Sequence, residues 1–166
     1  MIKHITDNVT QLSFKEFGST VFILKLPEPI LIDTSSREAK NELIADLKKL
    51  NIEPSDIKSI ILTHAHWDHD GNLDLFTNAK VYSATNLEEL KAAFPDFKIY
   101  ETPGHTRDSI CLLYEDILFS GDTIFDKDHI YIGRTDLPES VPKQMQKSLE
   151  LVKSIPYKIL CPGHLV

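Results

Sequence analysis

The sequence predicts a layered α/β protein, and three features of its pattern support this prediction. Short runs rich in β-branched and aromatic residues recur along the chain, as strands require. Segments with apolar residues at helical spacing separate several of these runs. Neither an internal repeat nor a Gly/Ser-rich linker interrupts this order, so residues 1–166 are expected to form one domain. Strands that alternate with helices are typical of layered α/β structure.

The first third of the chain is predicted to contain strands and then a helix. Strands are expected over 9–14 and 20–26, and two prolines mark a turn before a third strand, Ile30–Ile32. The polar segment 33–36 after that strand offers N-cap residues for the helix. The helix itself is indicated by apolar residues at helical spacing, which are Ala39, Leu43, Ile44, Leu47 and Leu50.

The remaining elements continue the alternation. A mostly apolar strand over 57–62 runs directly into a histidine-rich segment. Beyond it, strands are predicted over 80–83, 97–100, 109–114, 117–119 and 157–161, and helices over 86–93 and 142–154.

Composition narrows the class of protein. The net charge of −7 and the pI near 5.4 disfavour nucleic-acid binding, which needs clustered Lys and Arg, and favour a small-molecule substrate. Apolar runs of membrane-spanning length and a signal-like N-terminus are absent from the sequence, so no membrane association and a cytoplasmic location are expected. Cys111 and Cys161 lie in apolar, strand-like segments and are predicted to be buried.

The segment after the strand over 57–62 concentrates metal-ligand residues. Four of them, His64, His66, Asp68 and His69, lie within six positions. The two histidines two residues apart project to the same side if the extended geometry continues. Asp68 and His69 then fall in the following turn. Neutral imidazole and carboxylate are ligands that zinc, iron and manganese accept.

Three later segments each place a ligand type directly after a glycine at a strand end. The ligand residues are His105, Asp122 and His164. Glycine allows the sharp turn that points the next side chain inward. Taken singly, such a histidine is usually an ordinary loop residue, and a Gly-Asp pair is usually a turn. Five of the seven histidines nevertheless fall in these four segments, and their joint occurrence favours a metal site.

Together these motifs resemble those of the metallo-β-lactamase fold superfamily over essentially the whole chain. The segment Gly133-Arg134-Thr135-Asp136-Leu137-Pro138 is similar to that of the glyoxalase II-like and persulfide dioxygenase-like members. The resemblance implies an αββα sandwich. It also implies that His64, His66 and His105 hold one metal ion, that Asp68, His69 and His164 hold a second, and that Asp122 bridges them.

The resemblance further implies a hydrolase that cleaves a small thioester or ester with a metal-bound hydroxide. Asp68 orients the hydroxide, Asp33 supports the site from behind, and Arg134 contacts the substrate; a surface ion pair with Asp136 is the alternative for Arg134. Two divalent ions are expected, with zinc preferred over iron or manganese.

Other interpretations remain open. A mononuclear iron persulfide dioxygenase would use His64, His105 and Asp122, although Ile132 stands where such enzymes often have Cys. A third interpretation is that the chain is a binding module without enzymatic activity. Only two residues follow His164, so the chain is expected to be a short form without the C-terminal helical domain of glyoxalase II, which leaves glutathione recognition and homodimer formation open.

Overall fold

Two mixed β-sheets, one in each half of the chain, form the framework of the computed structural model, which describes residues 1–128 and 130–165. The halves are two compact units, Met1–Tyr82 and Ser83–Val166. The expectation of one domain over residues 1–166 stays a prediction.

The first unit contains a six-stranded sheet whose strands follow one another in sequence order. The strands are β1 (Ile2–His4), β2 (Val9–Leu12), β3 (Val21–Leu24), β4 (Ile30–Ile32), β5 (Ser59–Ile61) and β6 (Lys80–Tyr82). Neighbours from β1 to β4 are antiparallel, whereas β4, β5 and β6 are parallel. Parallel neighbours need a crossover connection, which helix α1 (Lys40–Lys49) supplies between β4 and β5, and the short helix α2 (Trp67–Asp70) lies in the next connection.

The core of the first unit lies between this sheet and α1. It is a cluster of buried aliphatic and aromatic side chains: Leu12, Val21, Ile23, Leu31, Leu43, Leu47, Ile57, Ile60, Leu62 and Phe76. Alternate residues of β3 enter this cluster, as the period of two in a strand requires. The predicted strands over 9–14, 20–26 and 57–62 are confirmed with shorter bounds, and β1 was not predicted.

The polar segment before the first helix supplies an N-cap contact, as predicted. The hydroxyl of Ser36 accepts a hydrogen bond from the backbone N–H of Ala39 at 3.3 Å, and helix α1 begins at Lys40. The backbone of Asp33 and Ser35 is left-handed, with φ of 59° and 61°, so segment 33–36 forms a buried loop that leads into the helix. Ile44 is 38% exposed, because the buried face of α1 consists of Leu43, Asp46 and Leu47.

The second unit contains a four-stranded sheet in the order β10-β9-β8-β7. Its elements are α3 (Leu87–Ala93), β7 (Phe97–Glu101), β8 (Ile110–Tyr114), β9 (Ile117–Gly121), α4 (Pro142–Lys153) and β10 (Ile159–Pro162). Strand β8 is antiparallel to both β7 and β9. Strand β10 follows the crossover through α4 and is parallel to β9. Cys111, Leu113, Leu118, Ile124, Val152 and Ile155 form the core cluster.

In each unit, the strand order brings ligand-bearing loops to one edge of the sheet. Because β4 and β5 are parallel neighbours, Asp33 after β4 and Thr63 after β5 lie side by side. Because β9 and β10 are parallel neighbours, Asp122 and His164 do the same. The β7–β8 loop, which carries His105, lies at this second edge because β8 is antiparallel to both β7 and β9.

Candidate metal centre

His64 and His66 place two ring nitrogens next to each other just beyond β5. The Nε2 of His64 lies 3.1 Å from the Nδ1 of His66. His64 is buried, and His66 is half-buried. Two nitrogens bound at about 2.0–2.1 Å to one tetrahedral ion are about 3.3 Å apart. The observed spacing therefore suits two ligands of a shared ion, as the His-x-His pattern predicts.

Asp68 and His69 lie on the short helix α2, where the sequence predicted a turn. Both side chains are buried. Their ligand atoms lie within 4.8 Å of each other, and the same limit holds for the ligand atoms of His69 and His64. The helical turn changes the direction of the chain, so the second pair of ligand types projects differently from the His64–His66 pair.

Asp33 holds His69 and the end of β5 in place. Its Oδ1 accepts a hydrogen bond from the Thr63 backbone N–H at 2.8 Å, and its Oδ2 accepts one from the Thr63 hydroxyl at 2.8 Å. The Nδ1 of His69 lies 2.8 Å from the same Oδ2. Because an ionised carboxylate only accepts, Nδ1 carries the proton, and Nε2 becomes the ring nitrogen with the lone pair that a metal needs.

Asn72 fastens the loop that carries Asp33, and sequence reasoning missed it. Its buried Nδ2 donates to the carbonyl oxygens of Thr34 at 2.8 Å and Ser36 at 2.6 Å. Thr34 in turn donates its backbone N–H to the carbonyl of His69 at 2.7 Å. The only signal in the sequence was an Asn directly after the glycine that follows the histidine-rich segment.

Asp122 lies between two histidines in the second unit. Its Oδ2 is 3.5 Å from the Nε2 of His105 and 3.5 Å from the Nε2 of His164. Ligand atoms bound to one ion at about 2.0–2.2 Å are separated by roughly this distance. One carboxylate oxygen equidistant from two imidazoles is suited to sharing by two ions.

The backbone of the segment that follows β9 orients His105. The Nδ1 of His105 lies 2.7 Å from the carbonyl oxygen of Arg134. Since a carbonyl only accepts, this nitrogen carries the proton, and Nε2 is the lone-pair nitrogen on the side of Asp122. Gly133 makes the close approach possible, because a Cβ at this position would lie 2.2 Å from the Asp122 carbonyl and 2.8 Å from the His105 ring.

The side chain of Arg134 forms the ion pair that sequence reasoning left as an alternative. Its Nε and Nη2 each donate to one carboxylate oxygen of Asp136 at 3.0 Å. Hydrogen bonding to Asp136 raises the pKa of Arg134, and the same bonds lower the pKa of Asp136. Both side chains are about 70% exposed. A contact between Arg134 and substrate stays a prediction.

The donors that each unit offers fit divalent metal ions. The first unit offers three imidazoles and one carboxylate, and the second offers two imidazoles and one carboxylate; at His69 and His105 a hydrogen bond to Nδ1 leaves Nε2 as the ligand nitrogen. Zinc, iron and manganese all accept this mixture. Cys111 and Cys161 are fully buried, as predicted, and burial raises the pKa of Cys111, which disfavours a thiolate ligand or nucleophile.

A known protein family matches the segments of the chain that carry these donor residues. The family model described as the Metallo-beta-lactamase superfamily matches residues 17–99 and 80–164 of this chain. The chain belongs to the Metallo-beta-lactamase superfamily. The matched ranges include all seven predicted ligands, and the family resemblance drawn from the motifs is confirmed.

Two relatives illustrate what the chain is similar to. A probable metallo-hydrolase of Methanocaldococcus jannaschii is 35% identical over 134 residues, which cover 76% of this chain and 64% of that protein. A hydroxyacylglutathione hydrolase of Xanthomonas axonopodis is 32% identical over 152 residues, which cover 81% of this chain and 55% of that protein. The chain thus spans between about half and two thirds of the length of these relatives.

Solved structures share the fold. A metallo-beta-lactamase family protein from Thermus thermophilus has a TM-score of 0.81 at 18% identity. The match covers 98% of this chain and 75% of that protein. A protein solved in a di-iron-bound form has a TM-score of 0.72 at 23% identity. The match covers 93% of this chain and 91% of that protein. The predicted fold class, that of the metallo-β-lactamase superfamily, is confirmed. Within residues 1–128 and 130–165, none of the helices is long and apolar enough to cross a membrane.

Proposed function

We propose that this member of the superfamily is a metal-dependent hydrolase that cleaves a small thioester or ester. The observation that carries the proposal is the position of the Asp122 Oδ2, 3.5 Å from an imidazole nitrogen on either side. A carboxylate placed in this way suits a pair of ions instead of a single one. Similarity to hydroxyacylglutathione hydrolases supports the choice of a thioester.

The ligand assignment is part of the proposal. His64, His66 and His105 hold the first ion, Asp68, His69 and His164 hold the second, and Asp122 is shared. The 3.1 Å spacing of His64 and His66 supports the first set. The buried contact of His69 with Asp33 supports the second, because a carboxylate behind a ligating imidazole fixes its tautomer and raises its basicity.

The chemistry then divides between the ions and the chain. Bound ions would lower the pKa of water to about 7 and polarise a carbonyl oxygen. The chain supplies Asp68, whose buried carboxylate orients the attacking water, accepts its proton and passes the proton to the leaving group. The exposed Arg134 guanidinium attracts an anionic part of the substrate.

A thioester suits this equipment better than an amide. A thiol has a pKa of only about 8.5, so it departs as a thiolate with little help from an acid. An amine leaving group must be protonated as it departs. Asp68 is the one buried carboxyl to which we assign proton transfer. Thioester cleavage requires little acid assistance from this carboxyl.

The proposal is tested by metal analysis combined with a substrate panel. Protein purified without added metal is expected to contain two equivalents of metal per chain and to hydrolyse at least one thioester of a small-molecule panel. Removal of metal with a chelator should reduce the rate at least 100-fold, and zinc, iron or manganese should be compared for restoring it.

One equivalent of iron, with oxygen uptake in the presence of glutathione persulfide, would instead assign the chain to persulfide oxidation. Two bound ions without hydrolysis of any thioester or ester in the panel would exclude the proposed reaction class. Variant Asp122→Asn is the matched probe of the shared carboxylate and is expected to lower the metal content to one equivalent or less.

A further inference from the structure

Two large aromatic side chains remain exposed together in the first unit. Phe17 is 62% exposed and Trp67 is 58% exposed, and their ring centroids lie 5.6 Å apart with planes inclined by 33°. Each aromatic side chain carries on the order of 150–250 Å² of surface that is favourable to bury. Two such side chains in contact with each other and with solvent mark a surface suited to binding.

The position of this aromatic pair relates it to the candidate metal centre. Trp67 lies between His66 and Asp68 in the chain. Phe17 lies on the β2–β3 loop, which reaches the same sheet edge as Asp33 because β3 is antiparallel to β4. A backbone hydrogen bond of 2.9 Å from the Ser19 N–H to the Asp68 carbonyl joins this loop to the ligand segment.

The loop that carries Phe17 is held from both sides. The carboxylate of Glu42 accepts hydrogen bonds from the backbone N–H groups of Lys15 and Glu16 at 3.0–3.1 Å. The hydroxyl of Ser36 donates to the carbonyl of Phe17. A Cβ on Gly18 would lie 2.3 Å from the Ser35 hydroxyl oxygen, so the loop is packed closely against segment 33–36. A surface ordered in advance loses less entropy when a ligand binds.

A cleft continues from the indole of Trp67. It has a volume of about 290 Å³ and is lined by Arg37, Glu38, Trp67, Asp70 and Gly71. Its volume is near the lower end for small-molecule sites, which begin at about 300 Å³. The two exposed rings together offer much less than the roughly 800 Å² per partner of a stable protein interface. The feature therefore suits part of a small molecule.

We propose that Phe17 and Trp67 bind the acyl group of the substrate, so that the chain prefers thioesters with a flat aromatic acyl group. This inference rests on the proposed thioester hydrolysis and specifies its substrate class. Phe17 and Trp67 present faces and edges that an aromatic acyl group contacts by offset or edge-to-face stacking. A small acyl group such as acetyl reaches neither ring with comparable contact.

The first experiment compares two thioesters of the same thiol, one with a phenylacetyl and one with an acetyl group, on the metal-loaded protein. The ratio of their kcat/KM values is expected to favour phenylacetyl and to fall roughly 3- to 10-fold in Phe17→Ala. Phe17→Tyr should restore the ratio, because it keeps the ring. Ile44→Ala removes an exposed apolar side chain on α1 and should leave the ratio unchanged.

The second experiment does not depend on turnover. Trp67 is the only tryptophan of the chain, so its fluorescence reports on this surface alone. Titration with the phenylethyl thioether analogue, in which a methylene replaces the carbonyl, should change Trp67 emission in a saturable way. The apparent Kd should rise roughly 3- to 10-fold in Phe17→Ala but not in Ile44→Ala.

The outcomes separate the two proposals. If neither these two thioesters nor any other thioester or ester of the panel is hydrolysed, the proposed function fails, whatever the fluorescence shows. If other members of the panel are hydrolysed but the phenylacetyl thioester is not, the proposed function stands and acyl recognition by this pair is overturned. If both are hydrolysed, but the kcat/KM ratio is the same in Phe17→Ala and the wild type, acyl recognition by this pair is overturned. A shift of Trp67 emission that depends on protein concentration, with no response to the analogue, would assign the pair to self-association and also overturn the inference.

Discussion

The Nδ1 of His69 lies 2.8 Å from the Oδ2 of Asp33, and both side chains are almost completely buried. Asp33 reaches His69 because the two residues follow neighbouring parallel strands, β4 and β5. Its left-handed backbone, with φ of 59°, turns the side chain towards the ligand segment. The contact ties the orientation of a predicted ligand to a residue more than thirty positions earlier.

The substitution Asp33→Asn is expected to weaken binding of the second ion by 10- to 100-fold, because an amide is a weaker acceptor for the His69 N–H. Asparagine tolerates the left-handed backbone, so the loop itself should persist. Cobalt titration followed by absorbance measures the affinity for each ion. Asp33→Ala removes the acceptor altogether, so this variant should bind the second ion more weakly still. Equal affinity for the second ion in the wild type and Asp33→Asn would contradict the role given to this contact.

Gly133→Ala is expected to reduce both stability and metal content. The added Cβ would lie 2.2 Å from the Asp122 carbonyl, so the segment must move away from His105. Overpacking of this kind costs about 1–3 kcal/mol. Chemical denaturation and metal analysis measure the two effects. Arg134→Ala is the matched control, because His105 contacts the backbone carbonyl of that residue, which alanine retains; a loss of metal in the control alone would refute this explanation.

Release of Arg134 from its ion pair is expected to improve the binding of anionic substrates. In the wild type, the guanidinium donates to both oxygens of Asp136, which compete with a substrate carboxylate. Asp136→Asn should lower KM for an anionic thioester about 2- to 5-fold, and Arg134→Ala should raise it by a similar factor. Steady-state kinetics with a neutral thioester provide the control. Parallel effects on the neutral thioester would exclude a charge-based contact.

The loss of stability of the first unit at strongly acidic pH is expected to depend on Asp46. Burial raises the pKa of Asp46, but hydrogen bonds from Lys49 at 2.6 Å and from the N-terminal amine at 3.3 Å outweigh it and lower the pKa. A lowered pKa in the folded state means that the stabilisation is complete above the unfolded value of about 3.9 and is lost as pH falls through the folded value.

The variant Asp46→Asn tests this sign. At pH 7 the substitution should reduce the free energy of unfolding by about 1 kcal/mol, and the difference from the wild type should disappear towards pH 2–3. Urea denaturation at several pH values measures it. A difference that stays constant from pH 7 to pH 3 would show that charge on Asp46 contributes nothing.

Much of the fold was predictable because its signals are local. The period of two in β3 and the helical spacing in α1 and α4 reflect which faces are buried, and burial leaves a pattern in the sequence. The contacts of the loop before α1 were not predictable in the same way. Ser36 accepts a hydrogen bond from the Ala39 N–H, as its residue type predicts for an N-cap, but the contacts of Asp33 with Thr63 and His69 depend on a neighbouring strand end.

The sequence by itself determined the residue types of a metal site and the family. Ligand chemistry depends only on the identity of the side chains, and the spacing of the motifs depends only on their positions along the chain. The resemblance already implied a supporting role for Asp33, but only the tertiary structure decided which ligand each group orients: Asp33 contacts His69, and the Arg134 carbonyl contacts His105. It also decided that the Arg134 side chain pairs with Asp136 and that Phe17 lies beside Trp67. Apart from the local pair of Arg134 and Asp136, these contacts depend on which strand ends become neighbours in a sheet, and that pairing joins residues far apart in the chain.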